Sequence, residues 1–378
     1  MPPTPTLAIT RRVRSTPFSS RIEAYGVKAY TVYNHMLLPT QIVDVETDYW
    51  HLRSSAQIWD VACERQVELA GPDAARLAQM LTVRDLSGFE VGRCGYAPVC
   101  DDDGFLINDP VLLKVAADRF WFSISDSDVL LWAGGIARSL GLDVKVSEPD
   151  IWPLAIQGRG ADDIVASVFG DAVRDIKFFR FAPFTFEGHE MLVARSGWSA
   201  QGGFEIYVND AEAGGALYDL LVQAGETFDI RPGCPNLIER IEAGLFTYGT
   251  DVTRKHTALE AGLAKYCALD SDAASLGAIG LPALQAQAAR GVEQQLVGVT
   301  FDGPPVWGVR DSWSVTDAGG RIGEVTSAVW SPRLETNVAM GMMRADRARI
   351  GVSVQIGAGD GVRSGTVCAM PFPGSSQR

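Results

Sequence analysis

Histidine is scarce in this chain. Its four histidines, His35, His51, His189 and His256, share no local motif, and the zinc-protease pattern H-E-x-x-H does not occur. A metal site is therefore not expected. The six cysteines, Cys63, Cys94, Cys100, Cys234, Cys267 and Cys368, form no C-x-x-C pair, which removes the zinc-ribbon and thioredoxin-like spacings. A chain of 378 residues needs no disulfide staples, so a reducing compartment with thiols acting as small buried hydrophobes is expected. No apolar run approaches the ~18–20 residues that span a bilayer. The pair Arg11-Arg12 is followed by the polar run Ser15 to Arg21 rather than by the apolar stretch of an export signal. These readings predict a cytoplasmic protein. Positive charge is short as well: 33 Lys plus Arg stand against 46 Asp plus Glu, a net −13. Nucleic acids and anionic membranes both attract basic surfaces, so neither is expected as a partner. P-loop and G-x-S-x-G patterns are missing too. Gly158-Arg159-Gly160 supplies two of the three glycines of a dinucleotide fingerprint and reads as a helix-start turn.

What is present predicts two or three domains from length and an ample core from the 47% hydrophobic content. Residues 1–20, rich in Pro, Thr and Ser, read as a flexible lead-in. Gly26 to Thr40 is aromatic and apolar, and Tyr30 and Tyr33 beside Asn34 and His35 are consistent with either a half-buried strand or a ligand-facing wall. Helical spacing recurs at 74–81, 129–140, 161–169, 211–224 and 237–246. Phe184 to Val193 reads as a hairpin turning at Gly188, and Phe120 to Ile124 as a strand. Residues 270–291, rich in Ala and Gln, suggest a linker with a helical piece. Residues 293–370 are short β-like runs punctuated by glycine, the pattern of a small barrel. The fold class is α+β with a C-terminal β domain.

Three segments carry more than packing. In Asp101 to Pro110 the leading aspartates make a solvated turn, but Asp109 lies among apolar neighbours, where a carboxylate needs a partner. In Ala194 to Val208 a glycine-rich turn joins two strands, which puts Glu205 and Tyr207 on one face with Trp198 in the turn. A carboxylate, a phenol and an indole at one end suit a flat, nitrogen-rich heterocycle, whose amino and N–H groups Glu205 could accept as a bidentate pair. The third, Ile238 to Leu263, clusters charges beside glycines.

In chain order, Gly71-Pro72-Asp73-Ala74, Gly104 to Asp109, Gly203-Phe204-Glu205-Ile206, Arg240 to Leu245, Leu259 to Leu263, Glu324 to Ser327 and Ala339-Met340-Gly341 resemble the aminomethyltransferase family of folate enzymes, typified by the T-protein of glycine cleavage. The resemblance covers most of the chain. Within that family, Gly26 to Thr40, Trp59 to Val67, Asn108-Asp109-Pro110, Arg195 to Ser199 and Gly233 to Asn236 are most similar to the dimethylsulfoniopropionate demethylases. Two departures from the T-protein pattern agree: Asn108-Asp109 stands where the T-protein has two aspartates, and Trp198 where it has a tyrosine.

The resemblance implies a multi-subdomain folate-binding fold: a body over 21–280 built of two interleaved subdomains, and a barrel over 290–378. It also implies methyl transfer from a sulfonium to tetrahydrofolate, the methyl-accepting co-substrate, without a metal. Asp109 would be catalytic, and Trp198, Glu205, Tyr207 and Arg240 would hold folate. Lys28 is the candidate cation for the substrate carboxylate, and Tyr30 and Tyr33 are candidates for its sulfonium. The expected partners are small molecules, and a homodimer is compatible with the resemblance. Competing readings are a folate-dependent demethylase of methoxy-aromatic or N-methyl donors, and a folate-binding protein without turnover.

Overall fold

The structure is a computed structural model that describes residues 8–375. Two antiparallel sheets form the body. One has six strands in the order Phe181–Phe186, His189–Ala194, Gly203–Val208, Trp152–Gly158, Ala56–Asp60 and Arg231–Gly233, with only the last pair parallel. The other has five, in the order Lys145–Ser147, Gln66–Ala70, Arg119–Ser123, Val111–Ala116 and Cys94–Tyr96. The chain lays Ala56–Asp60 into the first sheet, crosses through Val61 to Arg65 and builds the whole second sheet. It then returns at Trp152 to finish the first.

Each sheet buries one face under helices whose apolar residues recur at helical spacing. Ile164, Val165, Leu217 and Leu221 of the helices Ala161–Phe169 and Ala211–Ala224 pack on Ile58, Ile156, Phe204 and Ile206. Leu77 and Leu81 of Ala74–Leu81, with Ala133 of Val129–Ser139, pack on Val67, Leu69, Phe120 and Phe122. At ~1.5–3 kcal/mol per fully buried large aliphatic or Phe side chain, these two layers dominate the stability of the body.

Six strands, Gln294–Phe301, Thr336–Arg344, Gly320–Ser331, Trp313–Asp317, Ser353–Ala358 and Gly361–Cys368, close into the C-terminal barrel. Strand alternation serves both sides of its wall. Val297, Val299 and Phe301 fill the interior, whereas Leu296 with Val338, Met340 and Met342 faces the body and packs on Ile238, Ile241 and Leu281.

The helices expected at 74–81, 161–169 and 211–224 and the hairpin turning at Gly188 form within those spans. The helix expected over 237–246 is shorter, Leu237–Glu242. Gly244 takes φ +70°, and the Leu245 and Gly244 amides turn back to the carbonyls of Arg240 and Ile241, a Schellman ending that apolar spacing alone does not register. Residues 1–7 of the lead-in lie outside the described residues, and from Arg14 onward its reading as flexible is corrected. Arg14 bridges Met36, Thr16 donates to Asp60 at 2.5 Å, and Phe18 is fully buried against Tyr218. The apolar Phe18 outweighs the polar composition around it. Four cysteines are buried, Cys267 and Cys368 are half-buried, and all six are free thiols.

Candidate functional site

A cavity of about 1000 Å³ opens where the two sheets, the N-terminal hairpin and a barrel loop meet. Its first wall is the hairpin Ala29–Tyr33 with Met36–Gln41. Asn34 and His35 turn this hairpin at φ +46° and +64°, the paired left-handed conformation of a two-residue type I′ turn, which asparagine tolerates well. The buried Asn34 amide donates to the Cys63 carbonyl at 2.9 Å, tying the hairpin to the crossing between the sheets.

Asp109 is placed by the residues around it. Pro110 holds it extended. Asn108, fully buried at the end of its short strand, donates to the Ser125 carbonyl and accepts from the Ser125 amide, both at 3.0 Å. Ser125, fixed in this way, donates its hydroxyl to Asp109 Oδ1 at 2.7 Å. Burial raises the Asp109 carboxyl to about 7, against the pull of that hydroxyl. Glu205 comes from the central strand of the six-stranded sheet, paired to Ala155 and Ala194. It accepts a short hydrogen bond from Ser196 Oγ, and burial raises its carboxyl as well. Gly203, two residues earlier, must be glycine: at φ +141° a side chain would sit 2.1 Å from the Ile156 carbonyl.

Glu64 is the residue that sequence reasoning missed. It lies on the crossing between the sheets and lines the cavity. Burial and the charges of Glu205 and Asp109 raise its carboxyl well above the ordinary range. Its signal was present: a charged pair, Glu64-Arg65, between two strands that are almost wholly buried. Tyr96, Phe179, Phe246, Tyr248 and Trp307 also line the cavity and were not singled out. Phe246 and Tyr248 lie two apart in the segment Ile238 to Leu263, where charge clustering drew the reading, and the other three come from separate parts of the chain, so no local pattern groups all five.

Of the sequence-predicted residues, Asp109, Trp198, Glu205, Arg240 and Tyr33 line the cavity together. Three do not. Tyr207 shares a face with Glu205, but it is buried in a separate cluster with Cys94, Leu113 and Trp121, its ring 6.0 Å from the Trp121 ring. The packing of one sheet on the other covers it, which strand alternation cannot reveal. Tyr30 and Lys28 are exposed and off the cavity. Ala29, Thr31, Val32 and Tyr33 line the cavity, whereas Tyr30, next to an irregularity in the hairpin pairing at Ala29, turns to a small pocket with Asp60. Two tyrosines three apart suit a helix face, not a strand face.

Arg240 is held rather than free. Its guanidinium donates to Asp251 at 2.8 Å and to Ser327 at 2.6 Å, while Asp251, fully buried, also accepts from Thr326 and the Thr247 amide. This pair locks the short helix to the barrel strand. Among the described residues lining the cavity, Arg240 is the one cation, against Asp44, Glu46, Glu64, Asp109, Asp126 and Glu205. The cavity is therefore acidic and ringed with aromatic faces, and because burial holds Glu64, Asp109 and Glu205 toward their neutral forms, a cation that lets them ionise is favoured. Among the described residues no group of three His, Cys, Asp or Glu is placed to hold a metal, and no helix is long and apolar enough to cross a membrane.

Two family models match the chain, the GCVT N-terminal domain over residues 18–271 and the glycine cleavage T-protein C-terminal barrel domain over 294–373. The chain is 47% identical over 360 residues to the dimethylsulfoniopropionate demethylase of Ruegeria pomeroyi, covering 95% of this chain and 97% of that protein. It is 31% identical over 377 residues to a probable aminomethyltransferase of Halobacterium salinarum, covering 95% and 99%. The crystal structure of the glycine cleavage aminomethyltransferase T from Bartonella henselae superposes with a TM-score of 0.85 at 22% identity, over 96% of this chain and 99% of that one.

Proposed function

The chain belongs to the glycine cleavage T-protein family, and from that membership we propose that it transfers a methyl group from dimethylsulfoniopropionate to tetrahydrofolate. The products are 3-(methylthio)propanoate and 5-methyltetrahydrofolate. The observation that carries the donor class is the cavity itself: three neighbouring carboxylates, Glu64, Asp109 and Glu205, among aromatic rings, with an arginine already neutralised by Asp251. That environment suits a sulfonium better than a neutral methoxy donor. The likeness to the Ruegeria pomeroyi demethylase supports the same reading.

The residues present fit a folate. The cavity lies at the upper end of the ~300–1,000 Å³ of ligand pockets, and Glu205, fixed by Ser196, offers acceptors to the amino and N–H edge of a pterin. Trp198, half-buried on the turn before Glu205, offers a face for the ring. When bound, tetrahydrofolate supplies the nucleophilic nitrogen. The leaving sulfur keeps the S–C electron pair and departs neutral, so the chain need not provide a strong acid. Its work is positioning, which can supply roughly 7–11 kcal/mol of such a barrier. Asp109 faces the charge that moves from sulfur to nitrogen. With its carboxyl near 7, it is matched to accept the proton that the methylated nitrogen sheds.

Incubating the purified protein with tetrahydrofolate and dimethylsulfoniopropionate should yield 5-methyltetrahydrofolate by mass spectrometry. No product despite measurable folate binding sinks the proposal. Product from methoxy-aromatic or N-methyl donors alone makes the chain a different folate-dependent demethylase. Replacing Glu205 by Ala should weaken folate binding by ~1–3 kcal/mol, because a polar edge of the ligand is left unpaired. Equal folate affinity, read by calorimetry, would remove Glu205 from the site.

A further inference from the structure

We propose that Glu64 is the counter-charge that selects a cationic methyl donor, a role that deepens the demethylase reading and rests on it. Val61 to Arg65 is the single crossing that carries the chain from the six-stranded to the five-stranded sheet. The crossing is fixed along its length: the Glu64 amide bonds the Val61 carbonyl at 2.9 Å, and the Cys63 carbonyl accepts from the Arg65 amide at 3.0 Å and from the Asn34 side chain at 2.9 Å. Glu64 is thus held on a rigid segment against the cavity, not on a mobile loop.

Its neighbours differ from it in one respect. Asp109 accepts from the Ser125 hydroxyl and Glu205 from the Ser196 hydroxyl. Among the described residues the Glu64 carboxyl takes part in no hydrogen bond or ion pair: the Gln66 side chain donates to its backbone carbonyl, and the adjacent Arg65 pairs with Glu148. A half-buried carboxylate that faces the cavity without a donor, beside two others, is costly to ionise until something positive arrives. Arg240 cannot relieve it, because its two terminal nitrogens are spent on Asp251 and Ser327. A ligand is the remaining source of charge, and a sulfonium offers positive charge without a hydrogen-bond donor. The tolerance is asymmetric. A cation repays the desolvation of Glu64, whereas a neutral thioether or ether leaves that cost in place, so the same residue attracts the substrate and releases the demethylated product.

The test compares dimethylsulfoniopropionate with 3-(methylthio)propanoate, which share a carboxylate and differ at sulfur, by calorimetry without tetrahydrofolate so that no turnover occurs. The wild type should bind the sulfonium more tightly. In Glu64→Gln the sulfonium affinity should fall by about 10- to 100-fold, the scale of one close charge pair offset by its desolvation, with the thioether affinity unchanged. Proton release on sulfonium binding at pH 7, read from titrations in buffers of different ionisation enthalpy, should shrink in the same variant. Folding is checked by thermal unfolding, where Glu64→Gln should be no less stable, since it removes like-charge repulsion. A wild type that makes no distinction between the ligands overturns the demethylase reading together with this inference. A wild type that distinguishes them, with a Glu64→Gln variant that does so equally, overturns the inference alone.

Discussion

Asp109→Asn should lower turnover by about 10²–10³-fold, the loss typical of removing one charge aimed at the transition state, while making the folded protein more resistant to heat above pH 7. The two effects have one origin. Asparagine keeps an oxygen to accept the Ser125 hydroxyl, so the local structure survives and the charge alone is lost. The Asp109 carboxyl titrates at about 7 in the folded chain, above its unfolded value near 3.9. A raised carboxyl favours folding fully below the unfolded value and progressively less as pH rises through the folded one. Asp109 therefore costs stability increasingly between about pH 4 and pH 7, and the full cost stands above that. A tenfold difference in proton affinity between the folded and unfolded chain corresponds to ~1.4 kcal/mol, and the water of the cavity reduces the total. A gain of about 1–3 kcal/mol at pH 8 is therefore expected for the variant. Scanning calorimetry should find the gain at pH 8 and see it shrink toward pH 4. Wild-type kcat/KM should fall as pH drops through 7, whereas Asp109→Asn should be flat there. A variant with full activity, or with the same pH profile, removes Asp109 from the chemistry.

Asp251→Ala should cost about 3–5 kcal/mol of stability, the penalty for leaving a buried partner charge uncompensated. Asp251 is fully buried, and it receives the Arg240 guanidinium, the Ser327 and Thr326 hydroxyls and the Thr247 amide. Removing it strands Arg240 in the joint between the helix Leu237–Glu242 and the barrel strand Gly320–Ser331. The double replacement Arg240→Leu with Asp251→Ala should recover part of the loss, because no charge is then left buried. Urea unfolding of the two single variants and the double gives the coupling. A loss below about 1 kcal/mol in Asp251→Ala would mean that the apolar contacts of Ile238 and Ile241 with the barrel hold the joint alone.

Much of the fold was legible because local patterns matched the tertiary answer. The helices at 74–81 and 161–169 have apolar residues on one face, and glycines flank the second of them. The barrel announced itself through short β runs broken by glycine. The helix expected over 237–246 was too long, since its end is decided by the conformation of Gly244. The site was legible where a residue had an unusual setting, as with Asp109 before Pro110 or Glu205 beyond a glycine turn. It was misread where two residues close in sequence diverge in space: Tyr30 and Tyr33 on one strand, and Tyr207 beside Glu205.

By itself the sequence determined the family, the order of the body and barrel, and the chemical types at the site, because these depend on ordered motifs and on periodicities of two and 3.6. Only the tertiary structure decided which side chains share the cavity. Glu64 joins Asp109 and Glu205 because the crossing between the sheets runs past both of them. Tyr207 is excluded because one sheet covers it, and Arg240 is committed because the barrel brings Ser327 to it. The scarcity of histidine and of positive charge acquires its meaning there too. The described residues lining the cavity include six carboxylates and one neutralised arginine, so the positive charge it is built to meet comes with the ligand.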